Sequence, residues 1–360
     1  MARHVALAVR LLVRILGTSA LLTAVTLVPL VHTAEAKLSQ KGIVIEPNDA
    51  VAGFDKTVDL GMGAEMVGFT WAGRTTASID VRGLVGSAWT EWISLDGELD
   101  EGPDTSSREH HARTWAGPTW LGKNIGKVQV RVTKGVAHGL TVHGIDTEPA
   151  KTTGVGVKPA GADTPIPLIT TRAQWGADES LRGDGPTYAS SVKFAVLHHT
   201  VNSNSYGPND SAAMVRGIYL FHVQANGWSD IGYNFLIDRY GQVFEGRYGG
   251  IDQPVIGAHA GGFNAESTGV SMIGDFTSSS VPGPMYQALR KLLDWKLAFH
   301  YIDPKGWTSH TVGESDCNCQ RWAPGTTIPM PTINGHGDLD YTSCPGGFIY
   351  SIMDQLRNDV

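Results

Sequence analysis

Basic charge, cysteine and long apolar runs are all scarce in this 360-residue chain, and each shortage removes a class of protein. Against 35 aspartates and glutamates stand 28 lysines and arginines, a net charge of −7 with no long basic run. A sequence-independent grip on nucleic-acid phosphates needs clustered cations, so no nucleic acid is expected as a partner. Cysteine occurs only as Cys317, Cys319 and Cys344. An odd count leaves at least one thiol unpaired within a monomer, and by position Cys344 is the odd one. Apolar runs approaching a membrane span occur only at the N-terminus, so no later segment is expected to cross a bilayer. No internal repeat is evident. Hydrophobic residues at 41% and charged residues at 18% exclude collagen, coiled coil and disorder.

Glycine, with 44 residues, and tryptophan, with ten, are plentiful and point to many turns and much aromatic packing. At roughly 100 to 200 residues per domain the length suggests two domains. Arg3, Arg10 and Arg14 precede an apolar stretch from about Ile15 to Val31, and Ala34-Glu35-Ala36 offers a small-x-small cleavage pattern. Residues 1–36 therefore read as a secretory signal peptide. The alternative is an uncleaved anchor. The stretch is short for a span of about 20 residues and is interrupted by Gly17, Thr18, Ser19 and Pro29. No cysteine lies near the cut, which excludes a lipoprotein, and no paired arginines suggest twin-arginine export.

Residues 37–146 carry short alternating runs separated by glycine: Met66 to Trp71, Thr76 to Arg82, Trp89 to Leu95, Lys127 to Thr133 and Leu140 to Ile145. Period-two alternation without a 3.6-residue pattern predicts an antiparallel β-sandwich. Trp71, Trp89, Trp92, Trp115 and Trp120 fall within it. They either fill its core, the reading preferred here, or stack on sugar rings as in a carbohydrate-binding module. Residues 147–166 contain proline, glycine, threonine and alanine but no aromatic side chain, the composition of a linker with little apolar content to weld the flanking domains.

Residues 167–360 alternate strands and helices, which predicts an α/β domain with a mixed β-sheet flanked by helices. Lys193 to His198 is a buried strand, Ser211 to Asn226 a helix capped at Asp210 or Ser211 and stopped by Gly227. Gly232 to Asp238 and Gln242 to Glu245 form a hairpin across Arg239-Tyr240-Gly241, and Gly269 to Gly274 a central strand. A second helix follows Pro284 with Met285, Leu289, Leu292, Leu293 and Leu297 buried, and Ile349, Ile352, Met353 and Leu356 mark a closing helix.

This domain holds polar groups that strands do not need: His198 and His199 ending a buried strand, Tyr233 in another, then His336, Asp338, Thr342 and Cys344 in one loop. Two imidazoles and a thiolate are a zinc-ligand set, and three protein ligands leave a fourth position for water, as catalytic sites do. The spacing matches no zinc finger, so from spacing alone zinc stays an open reading. Alternation along the strand places Val196 and His198 on one face and Leu197 and His199 on the other, so only one histidine of the pair can reach a given metal.

The segments TTRAQWGA (170 to 177), VLHHT (196 to 200), GWSDIGYNFLID (227 to 238), VFEGR (243 to 247), GAHAGGFNAESTGVSMIGDF (257 to 276) and GHGDLDYTSCPG (335 to 346) closely resemble the peptidoglycan recognition protein and N-acetylmuramoyl-L-alanine amidase type 2 family. The match runs in unbroken order from about Leu168 to the C-terminus, and the sandwich and linker resemble what precedes such amidases in actinobacterial secreted proteins. The resemblance implies the amidase type 2 fold and a zinc held by His198, His336 and Cys344. It further implies a catalytic Tyr233, with Thr342 as a second polar group able to hold an oxyanion, and peptidoglycan or muropeptides as the partner. It selects His198 and leaves His199 as a buried histidine bonded to backbone. His259 either lines the substrate cleft or satisfies a turn, His222 is structural, and Asp338 either orients a ligand or caps a turn. Two positions depart from the family pattern: Gly337 stands where many relatives have arginine, and Thr342 where some have lysine.

The activity this implies is a secreted, cell-wall-associated zinc amidase that cuts the bond between N-acetylmuramic acid and L-alanine, with no stable membrane insertion once the leader is removed. The alternatives are a non-catalytic peptidoglycan-binding protein and a thiol hydrolase using Cys344 with His336. Export also makes oxidation available, and a Cys317–Cys319 disulfide is expected in the SDCNCQ loop.

Overall fold

The computed structural model describes residues 38–98, 100–107, 109, 113–147, 167–317 and 319–360. The leader expected over residues 1–36 and the linker expected over 147–166, apart from Thr147, lie outside the described residues.

The first part is built from six strands, β1 (Ser39–Val51), β2 (Asp55–Ala72), β3 (Ala77–Val85), β4 (Ala88–Trp89), β5 (Ile93–Asp96) and β6 (Arg113–Asp146). Alternation is clear in β3, where Ala77, Ile79 and Val81 face inward while Ser78 and Asp80 face outward to pair with Asp96 and Ser94. The long β6 joins these strands edge to edge by pairing with β1, β2 and β3. It folds back on itself, so that Met66 of β2 is opposite both Trp120 and Ile145. Gly135 makes one of these reversals at φ +71°, where a Cβ would also strike the Thr76 carbonyl oxygen. Of the five tryptophans, Trp71, Trp115 and Trp120 are buried. Trp92 is covered by the guanidinium groups of Arg82 at 4.4 Å and Arg131 at 3.9 Å, and Arg82 also lies over Trp89 at 5.1 Å.

The second part is a six-stranded mixed sheet. Its strands are β7 (Ile169–Thr170), β8 (Phe194–His199), β9 (Phe235–Ile237), β10 (Val243–Glu245), β11 (Ser267–Met272) and β14 (Ile333–Gly335), in the order β14-β8-β11-β9-β10-β7. A separate hairpin pairs β12 (Trp307–Thr311) with β13 (Thr327–Pro331). The helices are α1 (Arg172–Trp175), α2 (Ser211–Leu220), α3 (Gly283–Phe299), α4 (His336–Leu339) and α5 (Gly347–Asp359). The expected helix over 211–226 is α2 followed by a π turn, Phe221–Ala225. The apolar stripes of α3 and α5 bury Leu289, Leu292, Leu293, Ile349, Met353 and Leu356 against Ala195, Leu197, Ile237 and Met272 on one face of the sheet. On the other face α2 and the π turn pack with Leu236, Phe244 and Ile273.

That second core is not confined to the α/β part. Leu38, Met66, Trp115, Trp120 and Ile145 enter the same buried cluster as Trp175, Met214, Tyr219, Phe221, Trp228 and Tyr233. Two glycines make the fit: Gly217 of α2 leaves room for the Met66 sulfur, and Gly68 of β2 leaves room for the Phe221 ring. Polar bonds bracket the contact, with the Trp120 N–H donating to Asn202 Oδ1 at 3.0 Å and Arg216 donating to the Thr147 carbonyl at 3.1 and 3.2 Å. The expectation that a linker of low apolar content leaves the two parts unwelded is therefore overturned. The weld comes from the strand faces on either side of the linker.

A shared core has to melt together. Trp120→Ala should lower unfolding free energy by about 3 to 5 kcal/mol. Urea titration followed by tryptophan fluorescence and by far-ultraviolet circular dichroism should give one coincident transition for wild type and variant. Two separate transitions would show that the parts fold independently.

Candidate metal centre

Strand β8 is flanked by β14 and β11, so all six of its residues are buried. Phe194 and Val196 face the cluster containing Ala260 and Phe263, and Ala195 and Leu197 face α3 and α5. Alternation then sends His198 to the first side and His199 to the second. His199 Nδ1 accepts the Phe276 N–H at 3.1 Å, the backbone-bonded role expected of it. Parallel pairing of Gly335 with Leu197 delivers His336 beside His198, with ring centroids 4.6 Å apart. Cys344 returns to the same place because the Gly337 N–H donates to the Cys344 carbonyl at 2.7 Å. Any Cβ at 337 would lie 2.7 Å from the Thr342 carbonyl oxygen and 2.8 Å from the Tyr350 hydroxyl, so the glycine found in place of arginine is a packing requirement here.

The donor atoms of His198, His336, Cys344 and Glu101 lie within 4.8 Å of one another, and all four residues are buried. His198 Nδ1 is 3.6 Å from Cys344 Sγ and 3.1 Å from Glu101 Oε1. Its Nε2 is 3.1 Å from His259 Nδ1, His259 Nε2 is 3.3 Å from Ser267 Oγ, and Ser267 donates to the Asn264 carbonyl at 3.1 Å. Read as donors in that order, this chain puts the His198 proton on Nε2 and leaves Nδ1 as a lone pair facing the cluster. His336 Nε2 is bonded to Asp340 Oδ2 at 3.1 Å, while His336 Nδ1 is buried without a hydrogen-bond partner. Gly269 in β11 leaves the space that the His259 ring fills.

This set fits a divalent cation. A buried nitrogen without a hydrogen bond is rare in folded proteins; His336 Nδ1 is one, with Asp100 Oδ2 at 3.9 Å, and its imidazole converges with a second imidazole, a thiol and a carboxylate. Burial pushes the Cys344 thiol well above its ordinary pKa and the Glu101 carboxyl up to about 8, the latter despite the opposing charge of His336. Burial also pushes His198 well below its usual value, with the neighbouring imidazoles adding to the effect. Burial works to lower His336 too, but the hydrogen bond to Asp340 and the Asp100 charge carry it up to about 8. The metal-free centre thus retains protons that a cation would displace on binding.

Tyr233 stands beside the cluster, its ring centroid 5.5 Å from that of His198 and its hydroxyl donating to Glu101 Oε2 at 2.6 Å. Thr342 Oγ1 accepts the Cys344 N–H at 3.1 Å, on the turn that presents the sulfur. Asp338 accepts the Gly335 N–H at 2.9 Å, which makes it the turn cap, and the carboxylate that orients His336 is Asp340. His259 is buried, with its Nδ1 3.1 Å from His198 Nε2. His222 is structural, accepting the Gly232 N–H at 3.1 Å and packing on Trp228. Cys317 and Cys319 are bonded to each other, which leaves Cys344 as the free cysteine. Glu101 and Asp340 were not anticipated. Asp340 lies four residues after His336, a spacing that could have flagged it, whereas Glu101 is 97 residues from His198 and carries no local signal.

Comparison with known proteins bears on the same region. The N-acetylmuramoyl-L-alanine amidase family model (Amidase_2) matches residues 188–347. Peptidoglycan-recognition protein SC2 of Drosophila simulans is 32% identical over 190 residues, covering 53% of this chain and 86% of that protein. Peptidoglycan recognition protein 1 of Bos taurus is 28% identical over 196 residues, covering 54% and 87%. The solved structure of wild-type Drosophila PGRP-LB is 27% identical and aligns with a TM-score of 0.40 over 51% of this chain and 91% of that one.

The two loop aspartates should separate cleanly. Asp340→Ala should weaken the centre's affinity for a divalent cation, probed with zinc, about 10- to 100-fold, the cost of losing a carboxylate that orients one of the clustered histidines. Asp338→Ala should leave that affinity within about twofold, because its carboxylate bonds the Gly335 N–H rather than an imidazole. Chelator competition on both purified variants checks the pair.

Proposed function

The chain belongs to the N-acetylmuramoyl-L-alanine amidase and peptidoglycan-recognition family, and from that premise we propose that it is an exported, zinc-dependent N-acetylmuramoyl-L-alanine amidase acting on peptidoglycan. The bond cut is the amide between the lactyl group of N-acetylmuramic acid and L-alanine. The observation that carries this reading is the convergence of donor atoms from His198, His336 and Cys344, all buried, within 4.8 Å of one another.

His198, His336 and Cys344 would hold the zinc, which when bound polarises a scissile carbonyl and lowers the pKa of water from 15.7 to about 7. His259 and Asp340 each engage the Nε2 of one imidazole, which turns its Nδ1 toward the cluster and makes it available to a cation once any proton there is displaced. Burial keeps the Tyr233 hydroxyl protonated far above neutral pH, so it can donate to a developing oxyanion and pass a proton at the reacting centre. The Thr342 hydroxyl accepts from the Cys344 N–H and keeps its own proton to donate. Export rests on the leader pattern over residues 1–36, and the names of the relatives support peptidoglycan as the partner.

A non-catalytic binder has no use for an intact ligand set with oriented imidazoles. A thiol hydrolase needs a thiolate of lowered pKa, the reverse of what burial does to Cys344.

Digestion of purified peptidoglycan followed by mass spectrometry should release peptides beginning at L-alanine and leave the lactyl carboxylate on the sugar, and chelation should stop it. Cleavage at any other bond contradicts the reading. Tyr233→Phe should retain zinc and lose on the order of 10² in turnover, whereas turnover within twofold of wild type would make Tyr233 a packing residue.

A further inference from the structure

The fourth member of the donor cluster comes from the other part of the chain. Glu101 lies in the segment between β5 and β6, yet its two oxygens engage His198 Nδ1 at 3.1 Å and the Tyr233 hydroxyl at 2.6 Å. Gly102, Asp104 and Glu109 of that segment are fastened across the same face. The Gly102 carbonyl accepts from Asn264 Nδ2 at 2.9 Å, and Asp104 Oδ1 accepts the Gly262 N–H at 2.6 Å and Asn264 Nδ2 at 2.9 Å. Glu109 grips Arg247 with both oxygens, at 2.8 and 3.0 Å, and accepts the Ser229 N–H at 2.8 Å. Asn264 ties these anchors to the centre, since its Oδ1 accepts the His259 N–H at 2.7 Å.

We propose that Glu101 is a fourth metal ligand, and that the segment carrying it is a built-in plug that closes the centre against substrate. The inference rests on the zinc reading above. Catalytic zinc sites have three protein ligands and an open position, and closed sites have four. A carboxylate within hydrogen-bond reach of one ligand and of the Tyr233 hydroxyl takes both that position and the proton donor beside it. Among the described residues all four donors are also buried. The large cavity alongside the segment, about 630 Å³, is lined by Asp104, Glu109, Arg182, Arg247 and Tyr248 and by none of the four donors. The resting protein is then a latent form, in which substrate has to displace a carboxylate held by three further anchors before it meets the metal.

The test compares full-length wild type with Glu101→Gln, which keeps size and hydrogen bonding, and Glu101→Ala. Zinc affinity by chelator competition should fall about tenfold or more in both variants, by analogy with the loss of lesser metal-site partners. Calorimetric affinity for a soluble monomeric muropeptide, and the rate of its hydrolysis with zinc in excess, should rise about tenfold or more in Glu101→Ala. Unchanged zinc affinity with falling hydrolysis would overturn the proposal and make Glu101 a working base. Unchanged affinity for both zinc and muropeptide would overturn it as a structural contact only. If both affinities shift as expected but no protein cleaves the muropeptide, the plug stands and the amidase reading fails.

Discussion

Two imidazoles and a thiol are held in an interior that water does not reach, and the structure around them is organised to make that tolerable. Burying a polar group without a partner costs roughly 1 to 3 kcal/mol by protein mutational data, and His198 and His336 are both fully buried. The surroundings supply partners one by one. His259, Ser267 and Asn264 form a relay behind His198, and Asp340 stands behind His336. His336 Nδ1 has no hydrogen bond and faces Asp100 Oδ2 at 3.9 Å, and this is the side on which a cation would bind. The sheet makes this possible because β14, β8 and β11 run parallel, so their ends bring side chains distant in sequence to one edge. Ligand sites at the carboxyl ends of parallel strands follow the same geometry.

The all-β part is half of this arrangement. Through Met66, Trp115 and Trp120 it shares a core with the π turn and with Trp228, and through Glu101 it reaches the donors themselves, with Glu109 on Arg247. The shared core and the carboxylate lying against His198 thus belong to the same part of the chain. A module that merely tethers an enzyme to an insoluble polymer would need neither connection. The coverage of Trp89 and Trp92 by Arg82 and Arg131 points the same way, since a sugar-stacking face has to be open.

Local pattern carried most of the fold. The stripe of α3, the hairpin of β9 and β10 and the centrality of β8 and β11 are all readable from periodicity and turn residues, because each depends on neighbours a few positions away. The parity rule that separates His198 from His199 is of the same kind. The short strands β7 and β14 are not readable, since two or three residues carry no period and, unlike β9 and β10, they are not joined to a paired neighbour by a short turn. The long-range choices escape for a different reason. Asp338 and Asp340 both sit near His336, and which of them bonds the imidazole depends on the path of a four-residue helix. Glu101 is invisible in sequence because its role is set by how two parts of the chain pack, and the linker composition pointed away from any packing at all.

The central claim is that one buried point gathers two imidazoles, one thiolate and one carboxylate from three distant stretches of chain around a zinc ion. X-ray absorption spectroscopy of the zinc-loaded full-length protein reads that shell directly. The account predicts a single sulfur scatterer at about 2.3 Å together with three nitrogen or oxygen scatterers at about 2.0 to 2.2 Å, two of them with the outer-shell signature of imidazole. A shell without sulfur, or one with no imidazole signature, would contradict it.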